Sequence, residues 1–338
     1  MPRTYVKPTA LAPIVGIHHV TAIASDPQRN LDFYTKLLGL RFVKLTVNFD
    51  DPGTYHFYFG NETGEPGTAL TFFPWPHVKR GVQGTGSVIA TAFNAPKASK
   101  QWWSDRLAAA NITVTPSTRF NDEVLAFEDH DGMRLEIVFH DGPAAKPFAT
   151  RDIPTQHALR GFHSVTLSLE NAAETAALLQ GTMGFIPQGT ADEKQSSRQR
   201  YIATGDNTAF ARIVDIIVPT QRAPASKLGA GVVHHVAFRT PDLATHSKWQ
   251  EVLAENDLHV TPVIDRNYFH SIYFREPGHV LFEFATDAPG FTADEPLDQL
   301  GTTLRLPPQY EHKRDVIVRV TPRITLPTGG TVGGIPAQ

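Results

Sequence analysis

Four stretches of the chain alternate at a period of two residues, and behind each one the apolar positions switch to helical spacing. The opening stretches are GIHHVTAIA (16–24), GSVIATAFN (86–94), GFHSVTLSL (161–169) and GVVHHVAFR (231–239). Side chains of a strand point alternately to its two faces, so each stretch reads as a β-strand. The segments that follow are PQRNLDFYTKLLG, PKASKQWWSDRLAAAN, NAAETAALLQGTMG and PDLATHSKWQEVLAEN. Each starts at Pro or Asn and closes on Gly or Asn, the start and stop chemistry of a helix. Alternation then resumes in RFVKLTVNF, TYHFYFG and TALTFFP, with equivalents in the later units such as RLEIVFH, ARIVDIIV, SIYFRE and VLFEFAT. The repeated unit is βαβββ, written four times, and it predicts an α+β protein of curved, mostly antiparallel sheets.

Units one and two fall within residues 14–145 and units three and four within 158–288, two expected domains. Residues 289–338 form a tail rich in Pro and Gly that starts no fifth unit and is expected to pack across the surface or between the domains. GVQGTG (81–86) has the glycine spacing of a phosphate loop, but a strand follows it where a nucleotide site needs a helix, so it reads as a linker. KQSSRQR (194–200) reads as the solvated tip of a hairpin.

Composition narrows the chemistry. A length of 338 residues suits two domains, and 41% hydrophobic residues fills their cores. With 31 basic and 34 acidic side chains the net charge is −3, which argues against a nucleic-acid surface. No signal segment and no run of about 18 apolar residues is present, so a cytoplasmic protein without a membrane partner is expected, with self-association left open. Zero cysteines remove disulfides, thiolate metal sites and a cysteine nucleophile. Fifteen histidines leave imidazole and carboxylate as the available metal chemistry, which suits iron, manganese, zinc or nickel.

Superposing the repeats exposes where that chemistry sits. His19, Ala90, Ser164 and His235 fall in one column at intervals of 71, 74 and 71 residues, and the preceding column reads His18, Ile89, His163 and His234. Aligning the last strands of the units gives Phe72, Glu136, Asp215 and Glu283, within one residue. Pairing units one and four brings together His19, His235, Glu283 and the apolar Phe72. Pairing two and three gives Ala90, Glu136, Ser164 and Asp215, without an imidazole. One metal site and one vestigial cavity are therefore expected. Two histidines and one carboxylate leave neighbouring positions open on an Fe(II) ion.

Together GIHHVT, GLRFVKLTVNFDDPGTYHFYFG, GTALTFFPWP, VVHHVAFRTPD and DRNYFHSIYFREPGHVLFEFATDAPGF resemble the ring-cleaving dioxygenases of the vicinal oxygen chelate (glyoxalase/bleomycin-resistance) superfamily, and among them the subgroup that opens hydroquinones. The resemblance spans about residues 14–310 and implies four βαβββ modules forming two open-barrel domains. It implies Fe(II), with Mn(II) as the alternative, held by His19, His235 and Glu283. It also implies a small aromatic diol and O2 as reactants, with extradiol-type cleavage. Tyr273, His234, His18 and Thr21 match the residues that support catalysis, and Arg266, Tyr268 and Phe72 are expected to meet the substrate, Arg266 in a loop shorter than its relatives have. Two other readings stand beside it. A glyoxalase-like isomerase or lyase on Ni(II) or Zn(II) would need a fourth protein ligand, such as Glu136 or His56. A metal-free protein that binds an aromatic drug or quinone would need no ligands.

Overall fold

The computed structural model describes Tyr5, residues 11–193 and residues 195–336. Sixteen strands build two sheets. Module one holds β1 (Ile17–Ala24), β2 (Arg41–Val47), β3 (Tyr55–Gly60) and β4 (Ala69–Pro74), and module two holds β5 (Ser87–Ala95), β6 (Thr115–Arg119), β7 (Asp122–Glu128) and β8 (Arg134–Phe139). Module three holds β9 (Phe162–Ser168), β10 (Phe185–Glu193), β11 (Ser196–Ala203) and β12 (Ile213–Pro219), and module four holds β13 (Val233–Thr240), β14 (Ile264–Asp265), β15 (His270–Arg275) and β16 (Leu281–Thr286).

The first sheet runs β14-β15-β16-β13-β1-β4-β3-β2 and the second β10-β11-β12-β9-β5-β8-β7-β6. Each opening strand lies parallel to the last strand of its own module and antiparallel to the opening strand of its partner module. Modules one and four thus share one curved sheet and modules two and three the other. Each sheet takes four strands from the segment 14–145 and four from 158–288.

Helices close the outer faces: α1 (Pro27–Asp32) with a wider turn over Phe33–Leu37, α2 (Lys100–Ala109), α3 (Ala173–Gly181) and α4 (Leu243–Glu255). A left-handed residue follows each of them: Gly39 (φ 71°), Asn111 (58°), Gly184 (78°) and Asp257 (51°). That conformation turns the chain out of the helix and costs least at Gly, Asn or Asp. In the fourth module Asn256 caps the helix and the left-handed position passes to Asp257.

The segment from Arg80 to Thr85 bridges to Ala225–Ala230 and leads directly into β5, as a linker should. The tail runs beside β2, the edge of the first sheet: Leu304 bridges to Leu45, the buried Lys44 ammonium pairs with Asp294 and Glu295, and Tyr310 donates to the carbonyl of Phe49. An edge covered in this way offers no free ladder to another chain.

The hairpin expectation needs correction. Lys194 lies outside the described residues, and Ser196 to Arg200 belong to β11, where Arg198 and Arg200 are buried. Period-two alternation aims both guanidinium groups inward, and the Asp215 carboxylate accepts from both.

Candidate metal centre

The central strands of the first sheet bring three donors to one point. His19 Nε2 lies 3.2 Å from His235 Nε2 and 3.3 Å from Glu283 Oε2, which is 2.9 Å from His235 Nε2. Donors held at about 2.1 Å and at right angles around one ion are about 3.0 Å apart, so this triangle matches one face of an octahedron. All three side chains are buried, and Glu283 Oε2 has no hydrogen-bond donor of its own. Burial alone would raise the Glu283 carboxyl, but the two imidazoles beside it hold it well below the usual carboxylate range. Burial lowers His235, against the pull of Glu283. An anionic oxygen is the protonation state a cation requires, and the lowered His235 favours its neutral, metal-binding form. Ser271 donates to Glu283 Oε1 at 2.5 Å and so orients the carboxylate.

The doubled histidines have a structural cause. In the pairing of β1 with β13 the register skips between Ile17 and His19, and again between Val233 and His235, leaving His18 and His234 as the extra residues of two β-bulges. The second sheet skips at the same columns, past Ile89 and His163. A bulge re-aims side chains that strict alternation would separate. His18 Nδ1 comes within 2.9 Å of His19 Nδ1, and His234 Nδ1 within 2.8 Å of His235 Nδ1. Both ring pairs sit 5.1 Å apart at 81°. When the ligand histidine carries its proton on Nδ1 and its neighbour accepts it, Nε2 is left bare toward the centre. Burial pushes both neighbours down, His234 to about 3, so each is a neutral acceptor.

A cavity of about 340 Å³ opens on this triangle. Phe49, Phe73, Trp75, Phe269 and Leu281 give it apolar walls, while His56, Tyr58, His234, Arg266 and Tyr273 supply polar groups. The Tyr273 ring lies 5.7 Å from that of His235, and burial together with the Glu283 charge pushes its hydroxyl up, so it keeps its proton. The Arg266 guanidinium stands 5.5 Å over the Tyr273 ring and is gripped by Asp50 at 3.0 and 3.3 Å. Thr21, Thr71, His56 and Tyr58 form one hydrogen-bonded chain, with steps of 2.7, 2.9 and 2.8 Å, of which His56 and Tyr58 reach the cavity.

The model of the Glyoxalase/Bleomycin resistance protein/Dioxygenase superfamily matches residues 16–137 and 161–284. The chain belongs to this superfamily. Among its members, MhqO of Bacillus subtilis (strain 168), which carries the provisional name ring-cleaving dioxygenase, is 44% identical over 304 residues, spanning 90% of this chain and 94% of MhqO. The chlorohydroquinone/hydroquinone 1,2-dioxygenase of Sphingobium indicum is 36% identical over 315 residues, 90% of this chain and 95% of its own. A crystal structure of a provisionally named dioxygenase from Bacillus subtilis superposes with a TM-score of 0.84 at 43% identity, covering 91% of this chain and 96% of that one.

Not every expected residue of this superfamily member reaches the cavity. Phe72 is packed in the core against Tyr34 and Phe59, with ring centroids at 4.6 and 6.0 Å. The strand pairs settle the alignment: Thr21 faces Thr71 as Ala237 faces Glu283, so Thr71 holds the fourth position and Phe72 is one residue out. A run of aromatic residues in TALTFFP conceals that register. Tyr268 is buried beside Lys44 and donates to Asp294, and its neighbour Phe269 lines the cavity instead. Thr21 touches Thr71, behind the wall. Tyr58 and Ser271 escape the sequence reading, and His56 enters it only as a candidate fourth ligand. His56 and Tyr58 share a face of β3 two residues apart, and Ser271 on β15, opposite Ala285, reaches diagonally to Glu283, a contact visible only once the strands pair.

Neither candidate for a fourth ligand joins the triangle. Glu136 lies in the second sheet, paired with Arg119, and His56 is bonded to Thr71 and Tyr58. The vestigial cavity also needs revision. Its carboxylates are neutralised by arginines, but imidazoles of His140 and His163 stand nearby with Asp122. Among the described residues no helix is long and apolar enough to cross a membrane.

Proposed function

We propose that this protein is a metal-dependent, extradiol-type ring-cleaving dioxygenase of aromatic diols, that hydroquinones are its substrate class, and that Fe(II) is its ion, with Mn(II) as the alternative. The observation that carries this reading is the triangle of His19, His235 and Glu283 facing an aromatic-walled cavity, with a threonine in place of a fourth ligand. The name of the Sphingobium relative supports the substrate class.

Held by His19, His235 and Glu283, the ion would supply Lewis-acid and redox chemistry to a bound diol and O2. The protein does the rest. His18 and His234 hold the ligand imidazoles in their metal-binding tautomer, and Ser271 fixes the carboxylate. The low basicity of His234 at neutral pH makes it a positioning group. Tyr273 holds a proton at Oη beside the metal ligands and delivers it, or donates a hydrogen bond, to an oxygen whose charge grows during reaction. Phe49, Phe73, Trp75 and Phe269 exclude water and present flat faces to a ring. Arg266, anchored by Asp50, offers a cation at the rim that orients the substrate's polar edge.

The test is oxygen consumption by anaerobically iron-loaded protein supplied with methylhydroquinone, chlorohydroquinone or catechol. Uptake with a hydroquinone, lost on chelation and restored by Fe(II), is expected; failure of every aromatic diol to support uptake overturns the proposal.

A further inference from the structure

We propose that the second curved sheet carries a metal site of its own, in which Asp122, His140 and His163 bind a divalent transition cation of the zinc class. The three residues come from the start of β7, the exit of β8 and the bulge of β9. His140 Nδ1 lies 2.9 Å from Asp122 Oδ1, His163 Nε2 lies 3.8 Å from Asp122 Oδ2, and the three donors fall within 4.8 Å of one another. Donors bound at about 2.1 Å are at most about 4.2 Å apart, so a small closing movement is needed. The His140 side chain, 36% exposed, is free to make it.

The second, independent observation is an orphaned atom. His163 is 5% exposed, lines a cavity of about 480 Å³, and its Nε2 has no hydrogen-bond partner. A buried ring nitrogen left bare is costly unless something fills its lone-pair direction. Its other nitrogen faces the Ser164 hydroxyl at 3.0 Å, as His18 faces His19 in the first sheet; donation to that hydroxyl aims the Nε2 lone pair into the cavity. Burial and the Arg200 charge push the imidazole down to about 3, so it is neutral. The neighbouring cations are already engaged. Arg200 is held by Asp215, Arg119 by Glu136, and Arg212 by Asn207 and the Ala203 carbonyl, which leaves the Asp122 carboxylate to the histidines. The site is separate from the first triangle and does not depend on the function proposed above.

The experiment is a zinc count. Chelated full-length protein, its His140→Ala and Asp122→Asn variants and its Glu283→Gln variant are dialysed against Zn(II), and bound metal is measured by atomic emission, with circular dichroism to confirm folding. Two ions per wild-type chain are expected, one in His140→Ala and in Asp122→Asn, and one in Glu283→Gln. Oxygen uptake by iron-loaded His140→Ala should match the wild type. A wild-type count that neither His140→Ala nor Asp122→Asn reduces overturns the site. Loss of one zinc ion per chain in those two variants upholds it, whatever Glu283→Gln retains and even where no diol supports oxygen uptake.

Discussion

Ser271 Oγ and Glu283 Oε1 are 2.5 Å apart, and this contact leaves the other carboxylate oxygen facing both ligand imidazoles. Ser271→Ala removes the only hydroxyl that fixes the carboxylate's rotation among its described contacts. Loss of such a support weakens metal binding by about 10- to 100-fold. Competitive chelation should show that loss, and turnover at saturating iron should fall much less than affinity does.

Tyr273 and Tyr268 separate a reacting hydroxyl from a structural one. Tyr273→Phe keeps the ring against His235 and removes the proton held beside the metal ligands. Oxygen uptake at saturating diol is expected to drop roughly 100-fold, with little change in KM. Tyr268→Phe removes a bond to Asp294 in the buried cluster with Lys44 and should cost about 1 kcal/mol of stability in urea while sparing turnover.

The fourth position of the triangle offers a sharper test. Thr71 sits opposite Thr21 as Glu283 sits opposite Ala237, so Thr71→Glu places a second carboxylate at the related point. The variant is expected to keep or tighten metal binding while oxygen uptake collapses, because an open position is filled. Phe72→Leu alters only the core beside Tyr34 and Phe59 and should lower stability by about 1 kcal/mol with uptake intact. Metal counts and oxygen-electrode rates on both variants distinguish the two neighbours.

Much of this was legible in the sequence because duplication makes positions comparable. The columns of His19 with His235 and of Glu283 recur at matching points of the repeat, and these three residues do converge. The expected two sheets follow from the same repeat. What stayed hidden depends on register. TALTFFP is apolar on both faces, so nothing local distinguishes Thr71 from Phe72, and only pairing with β1 decides. The bulges at His18, Ile89, His163 and His234 break alternation without any glycine to announce them. Long-range partners such as Ser271 on Glu283, or Asp50 on Arg266 across 216 residues, leave no trace in a local pattern.

Acid sensitivity should reside partly in His246 on α4, which does not line the cavity. Its ring is buried, Nδ1 lies 2.9 Å from Thr240 Oγ1, and Nε2 has no partner. Burial pushes its pKa down to about 4, against an opposing pull from Glu283. An unfolded histidine titrates near 6.5, so between about 6.5 and 4 the unfolded chain binds a proton that the folded chain refuses. Stability from this group is therefore intact above about pH 6.5, falls as the pH drops, and stops falling below about 4, where both states are protonated. The slope in that window approaches about 1.4 kcal/mol per pH unit. His246→Leu fills similar space, and Thr240 keeps the Ala285 carbonyl as its acceptor. In urea titrations of metal-free protein the variant should match the wild type near pH 7.5 and exceed it by about 1 kcal/mol or more near pH 5.5. Equal pH dependence of the two proteins would mean that His246 takes up its proton in the folded state as readily as in the unfolded one.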